Sequence, residues 1–271
     1  MVKSRKKKNK LVTRCILAIL LGTFVLLFLH NRHQNSKNRE EFGLELAIPQ
    51  FTSPASSEII EHTGYTLSYN TVRKNANWVA YELTAEEVNG KEPRDNGFVP
   101  DPSIKGNQAT DDDYRRSGWD RGHLAPAADM KWSKEAMEES FYLSNVSPQN
   151  SNLNRGVWKS IEELVRKNAK EHGKLLVVTG PVFTSLKGLG SIGKNKVMIP
   201  NGFYKVILAY DNGYHGIGFY CENKSGKKEP GRYALTIDEV EELTGIDFFY
   251  RLPDEVEKEV EGLFTESTWG L

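Results

Sequence analysis

Fifteen consecutive residues without a charge, CILAILLGTFVLLFL at 15–29, follow closely on the basic cluster KSRKKKNK at 3–10. A buried core helix does not fit beside such a cluster, so the pair separates the N-terminus from the globular body. As a helix the run spans about 22 Å, short of the roughly 30 Å hydrocarbon core of a bilayer. Leu11 to Thr13, with Arg14 snorkelling, make up the length. The sequence therefore predicts a basic cytoplasmic tail at 1–10, a transmembrane signal anchor at 11–29 and a body on the non-cytoplasmic side, periplasmic or extracellular. A cleaved signal peptide, which would release the body as a secreted protein, is the rival reading. The lack of an A-x-A site after Leu29 favours the anchor.

Residues 30–60 are polar and read as a flexible linker, which leaves 61–265 for one substantial domain. Net charge is zero over the whole chain, but residues 1–39 hold ten Lys/Arg and no Asp/Glu. The remainder therefore carries 26 basic against 36 acidic residues, a poor surface for non-specific polyanion binding. Any such activity must rest on a local site. The two cysteines, Cys15 and Cys221, are too differently placed to form a disulfide framework.

Within the body, YTLSYN and NWVAYELT alternate apolar and polar residues and read as paired strands. SKEAMEES at 133–140 reads as a short helix capped by Ser133, and FYLSN as a short strand. A longer helix is expected from about Leu153 to Glu171, stopping before Gly173. The strands KLLVVTG, KVMIP, FYKVILAY and YHGIGFY follow, then a helix at TIDEVEEL capped by Thr236 and an acidic helix from Pro253. The pattern is α+β with a largely antiparallel sheet.

The segment GWDRGHLAPAADM at 118–130 puts an Asp, an Arg and a His within four residues, and the amide-rich NVSPQNSNLNRGVW follows. Near pH 7 the neutral imidazole of His123 can take a proton from water. Asn154, opening the long helix, offers a carbonyl oxygen to Mg²⁺, a hard cation that keeps several waters. Glu162 lies two turns along the same side and would hold a metal-bound water. Arg166, one turn further, would pair with Glu162 or reach a phosphate. Arg121 shares the strand face of His123 and would stabilise phosphate charge. GLGSIGKN at 188–195 matches G-x-G-x-x-G, but the strand-like KVMIP follows where a phosphate loop opens a helix, so a glycine-rich hairpin connection is expected. His62, His172 and His215 have no partner at ligand spacing and read as structural. DDDY at 111–114 reads as a solvated turn.

DRGHLAPAADM, FYLSNVSPQNSNLNRGVW and TGPVF, in this order and spacing, resemble the DNA/RNA non-specific endonucleases, the endonuclease G-like ββα-metal nucleases. The resemblance runs from about Tyr65 to Leu252. It implies a ββα-metal (His-Me finger) nuclease fold. It also implies cleavage of DNA and RNA to 5′-phosphate products with one Mg²⁺, for which Mn²⁺ can substitute. Carried over by motif, His123, Arg121 and Glu162 are the catalytic set and Asn154 is the metal ligand. Asn145, Gln149, Arg166 and, from PRDNGF, Arg94 contact substrate. Relatives can be homodimers. A catalytically silent binding module and a hydrolase of small phosphodiesters remain alternatives.

Overall fold

The computed structural model describes residues 42–51, 57–95, 97–185 and 187–271, together with residues 23, 26 and 27. The expected tail and anchor lie almost wholly outside these residues. Among the described residues no helix is long and apolar enough to cross a membrane. Residues 43–271 form one unit.

The elements used below are, in chain order, β1 (Glu58–Glu61), β2 (Thr66–Asn70), β3 (Asn75–Thr84), β4 (Asp120–His123), α1 (Lys134–Ser140), β5 (Val146–Gln149), α2 (Lys159–His172), β6 (Lys174–Val182), β7 (Gly202–Tyr210), β8 (Tyr214–Glu222), β9 (Ala234–Leu235), α3 (Ile237–Thr244) and α4 (Asp254–Gly262). Seven strands form the main sheet in the order β9-β8-β7-β6-β3-β2-β1, and every pairing in it is antiparallel. The expected α+β class with an antiparallel sheet is what the chain adopts. A separate hairpin, β4 with β5, precedes α2 and sets His123 opposite Val146.

The central strands β6 and β7 are almost wholly buried because both faces are covered. Alternation assigns the faces. Phe203, Lys205 and Ile207 of β7 point one way, where the Trp158 and Phe203 rings lie 5.7 Å apart and α2 packs through Ile161, Val165 and Ala169. Tyr204 points the other way, towards the ring of Phe248. On that face Gly216 and Gly218 of β8 leave the room that Ile237 and Val240 of α3 and Val260 of α4 occupy; a Cβ there would collide with them. Local signals fix the helix ends. Ser133 accepts from the Ala136 N–H. Thr236 and Glu239 form a reciprocal cap at the start of α3. Gly173, at φ +84°, ends α2.

Four expectations are corrected. The linker predicted at 30–60 contributes to the fold from residue 44: Leu44–Ala47 forms a turn that buries Ala47, Gln50–Phe51 pairs with Ile246–Asp247, and β1 is an edge strand. The domain also continues past 265, since Trp269 is buried and its carbonyl accepts from Asn168 Nδ2 at 3.1 Å. Those partners are distant in sequence, so local polarity did not disclose them. FYLSN is not a strand. Leu143–Asn145 makes a tight helical turn whose backbone is tied to Val99, Tyr142 and Leu124, and the strand begins at Val146. DDDY is not a solvated turn. It forms a one-turn helix in which buried Asp113 accepts from Thr110 and from Asn195 at 2.8 and 2.9 Å. The glycine-rich 188–195 segment does form a hairpin connection, with Ser191–Ile192 paired to Val197–Met198.

Candidate active site

β4 alternates its side chains, so Arg121 and His123 share a face and Gly122 turns away. The side chain of Gln149 occupies the space a Cβ on Gly122 would need, which explains the glycine. Gln149 is fully buried there, with no hydrogen-bond partner on either amide atom among the described residues. Asn145 is also fully buried. It accepts from the Ala125 N–H at 2.9 Å and donates to the carbonyls of Ala125 and Ser140, both at 2.9 Å. It clamps the loop that leaves His123. Neither residue is among those lining the cleft; both are buried against the segment that carries His123.

The lead-in to α2 begins at Asn150, whose side chain accepts from the N–H groups of Asn152 and Leu153. A widened turn follows at Asn154–Trp158, with Gly156 outside helical torsions, before α2 proper. Such widened turns recur at functional sites. Asp120, three residues before His123, holds this turn. One carboxylate oxygen accepts from Asn154 Nδ2 at 3.0 Å, and both accept from Arg155 at 2.9 Å. With its NH₂ engaged, Asn154 keeps its carbonyl oxygen for another partner.

Beneath the pocket lies a buried charge network. Asp129 accepts from the Tyr81 hydroxyl at 2.9 Å and from Arg166 at 2.8 Å. Arg166 therefore pairs with Asp129 rather than with the expected Glu162, because the motif loop brings a carboxylate that helix spacing could not reveal. Lys205, fully buried on β7, sits 5.1 Å from the Trp158 ring centre and donates to the Leu124 carbonyl. Burial pushes the Glu162 carboxyl above its usual range, while Lys205 acts in the opposite sense. Burial likewise pulls the Lys205 ammonium down, with Glu162 and Asp129 opposing it.

A cleft of about 380 Å³ gathers Arg94, Arg121, His123, Asn154, Glu162 and Arg166, six of the eight expected residues, together with Arg155 and Lys159. Five cations thus face one carboxylate, a local reversal of the acidic body. The His123 ring packs against Phe98 and edge-on against Phe141, with centroids 5.3 and 5.0 Å away. Its Nε2 is buried without a hydrogen-bond partner among the described residues. Burial, aided by the Arg94 charge, pushes the imidazole down to about 3, so it is neutral at pH 7. Asp120, Asp129, Arg155, Lys159 and Lys205 complete the site and were not assigned roles from sequence. The one readable signal was Lys205, a lone charge in the apolar strand FYKVILAY. His62, bonded to Asp101 at 2.9 Å, and His172, stacked near Trp269, are structural as expected.

Comparison with known proteins bears on this arrangement. A crystal structure of an EndoG/EndoGI complex matches with a TM-score of 0.68 at 31% identity, over 75% of this chain and 90% of that one. The fold is thus a mixed α/β nuclease fold on an antiparallel sheet. A family model for DNA/RNA non-specific endonucleases matches residues 43–255, and the chain belongs to that family. It is 34% identical over 215 residues to mitochondrial endonuclease G of Homo sapiens, covering 74% of this chain and 72% of that protein. It is 32% identical over 235 residues to mitochondrial nuclease EXOG of Mus musculus, covering 80% of this chain and 64% of that protein.

Proposed function

We propose that this protein is a sequence-non-specific endonuclease that hydrolyses phosphodiesters of DNA and RNA to 5′-phosphate products with one divalent cation. The observation that carries the reading is the shared cleft, in which a neutral imidazole and an oriented amide oxygen face a rim of cations.

The donor set fits a hard cation. Asn154 and Glu162 offer oxygen, and the Asp120 contact fixes the Asn154 amide so that its oxygen is the free atom. Asn154 would hold Mg²⁺ directly, with Mn²⁺ an acceptable substitute, and Glu162 would hold one of its waters. When bound, the ion supplies positive charge against the phosphate and the leaving 3′ oxygen. His123 removes a proton from the attacking water. With Nε2 sealed between aromatic rings, the tautomer protonated there presents Nδ1 to the water. Arg121, held by Asp111 at 2.6 Å, and Arg94 neutralise phosphate charge from the lining of the same cleft. Arg166, Arg155 and Lys159 line the strand path.

The anchor at 11–29, with the domain on the non-cytoplasmic side, belongs to the same proposal. It is supported by the uncharged run and by Leu26 and Leu27, which are helical and exposed. The deciding experiment incubates the full-length protein with plasmid DNA and with RNA, with Mg²⁺ and with EDTA. Both polymers should be degraded in Mg²⁺, spared in EDTA, and yield 5′-phosphorylated ends. Digestion undiminished by EDTA, or 3′-phosphate ends, would refute the reading.

A further inference from the structure

The sheet face away from the cleft carries a second group of acids. Asp238 and Glu241 of α3 and Glu261 near the end of α4 bring one carboxylate oxygen each to within 4.8 Å of one another. Asp247 and Glu257 add charge alongside, and among the described residues none of the five has an ion-pair partner. Glu261 is the telling member. It is only 4% exposed, and its Oε1 is buried without a hydrogen-bond partner among the described residues although it belongs to this cluster. Glu241 is fixed in place by accepting the Phe248 N–H at 2.7 Å.

A buried carboxylate left in this state is costly, and its place at a helix C-terminus, the negative end of the dipole, adds to the cost. A proton or a cation resolves it. The spacing favours a cation. Three oxygens within 4.8 Å of one another all lie within about 2.8 Å of a common centre, so small side-chain shifts bring them to a calcium–oxygen distance of about 2.3–2.6 Å. Asp238 is exposed, so water can complete the remaining positions. We propose that Asp238, Glu241 and Glu261 bind a hard divalent cation, calcium by its ligand chemistry, which staples α3 to α4. Crowding of burial and like charge, which pushes Glu261 up to about 9 and Glu241 to about 7, is what such an ion relieves. The site is separate from the cleft and does not depend on its chemistry.

The test uses the full-length protein carrying Asn154→Ala, so that the cleft is not the binding site being read. Thermal unfolding is followed after chelation and with Ca²⁺ added alone. At Ca²⁺ about a hundredfold above its Kd, Tm should rise by roughly 5–10 °C. Adding Glu261→Gln should abolish the rise, and adding Asp238→Asn, at an exposed position that folding tolerates, should weaken Ca²⁺ affinity by about tenfold or more. On a wild-type background Asp238→Asn should leave Mg²⁺-dependent cleavage unchanged. No rise in the parent, or a rise that survives both substitutions with unaltered affinity, overturns the proposal.

Discussion

Beneath the cleft, Asp129 and Glu162 are met by Arg166 and Lys205, all supplied by the chain itself. On the other face of the same sheet, Asp238, Glu241 and Glu261 meet no cation among the described residues. The difference shows two uses of buried acid. Where the fold supplies the counter-charge, the cleft still carries Arg94, Arg121, Arg155 and Lys159 on its lining, the side the proposed reading turns towards phosphate. Where it does not, the acids are left to find an ion from solution.

The largest expected effect tests the cleft itself. His123→Ala should lower turnover by roughly 10²- to 10⁴-fold in a single-turnover cleavage assay. Next comes the charge balance. Lys205→Met leaves Asp129 and Glu162 with one cation, and urea unfolding should show a loss of about 3–5 kcal/mol. A neutral result would erase the contrast between the two faces. Asn145→Ala strands the Ala125 N–H and the carbonyls of Ala125 and Ser140, costing about 2–3 kcal/mol. Because Asn145 positions rather than touches substrate, kcat should fall with KM nearly unchanged.

A pH–rate profile separates the two titrating groups of the cleft. Glu162 must be ionised to hold a cation's water, and its carboxyl is raised, so activity should be lost as pH falls through that raised value, about tenfold per unit. His123 is lowered and must be neutral, so it adds no limb near the usual imidazole range. Glu162→Gln should remove the limb along with most of the rate. The smallest effect is at the rim. Arg155, 74% exposed, should contribute about one unit to the salt slope of DNA binding, measured by Arg155→Ala on a His123→Ala background.

Most of the cleft was legible because its residues lie in two short motifs with strand and helix periodicity. His123 and Arg121 two apart on a strand, and Asn154, Glu162 and Arg166 stepped along a helix, needed only local geometry. Sequence could not show that Asn145 and Gln149 stand off the cleft lining, because an amide in a motif reads alike whether it faces a ligand or locks a loop. Burial decides which, and burial is set by Gly122, Ala125 and Ser140 from other segments. Lys205 and Asp129 were hidden because their meeting needs β7 and the motif loop to be stacked on the same side of α2. The strands were found from alternation, whereas Gln50–Phe51 pairs with residues almost two hundred positions away and left no local trace.

The grip of Asp120 on both Asn154 and Arg155 has a mechanical consequence. One carboxylate rivets the strand that bears the imidazole to the turn that bears the amide oxygen. Displacing that one carboxylate would uncouple the two, so the spacing of imidazole and amide rests on a single side chain.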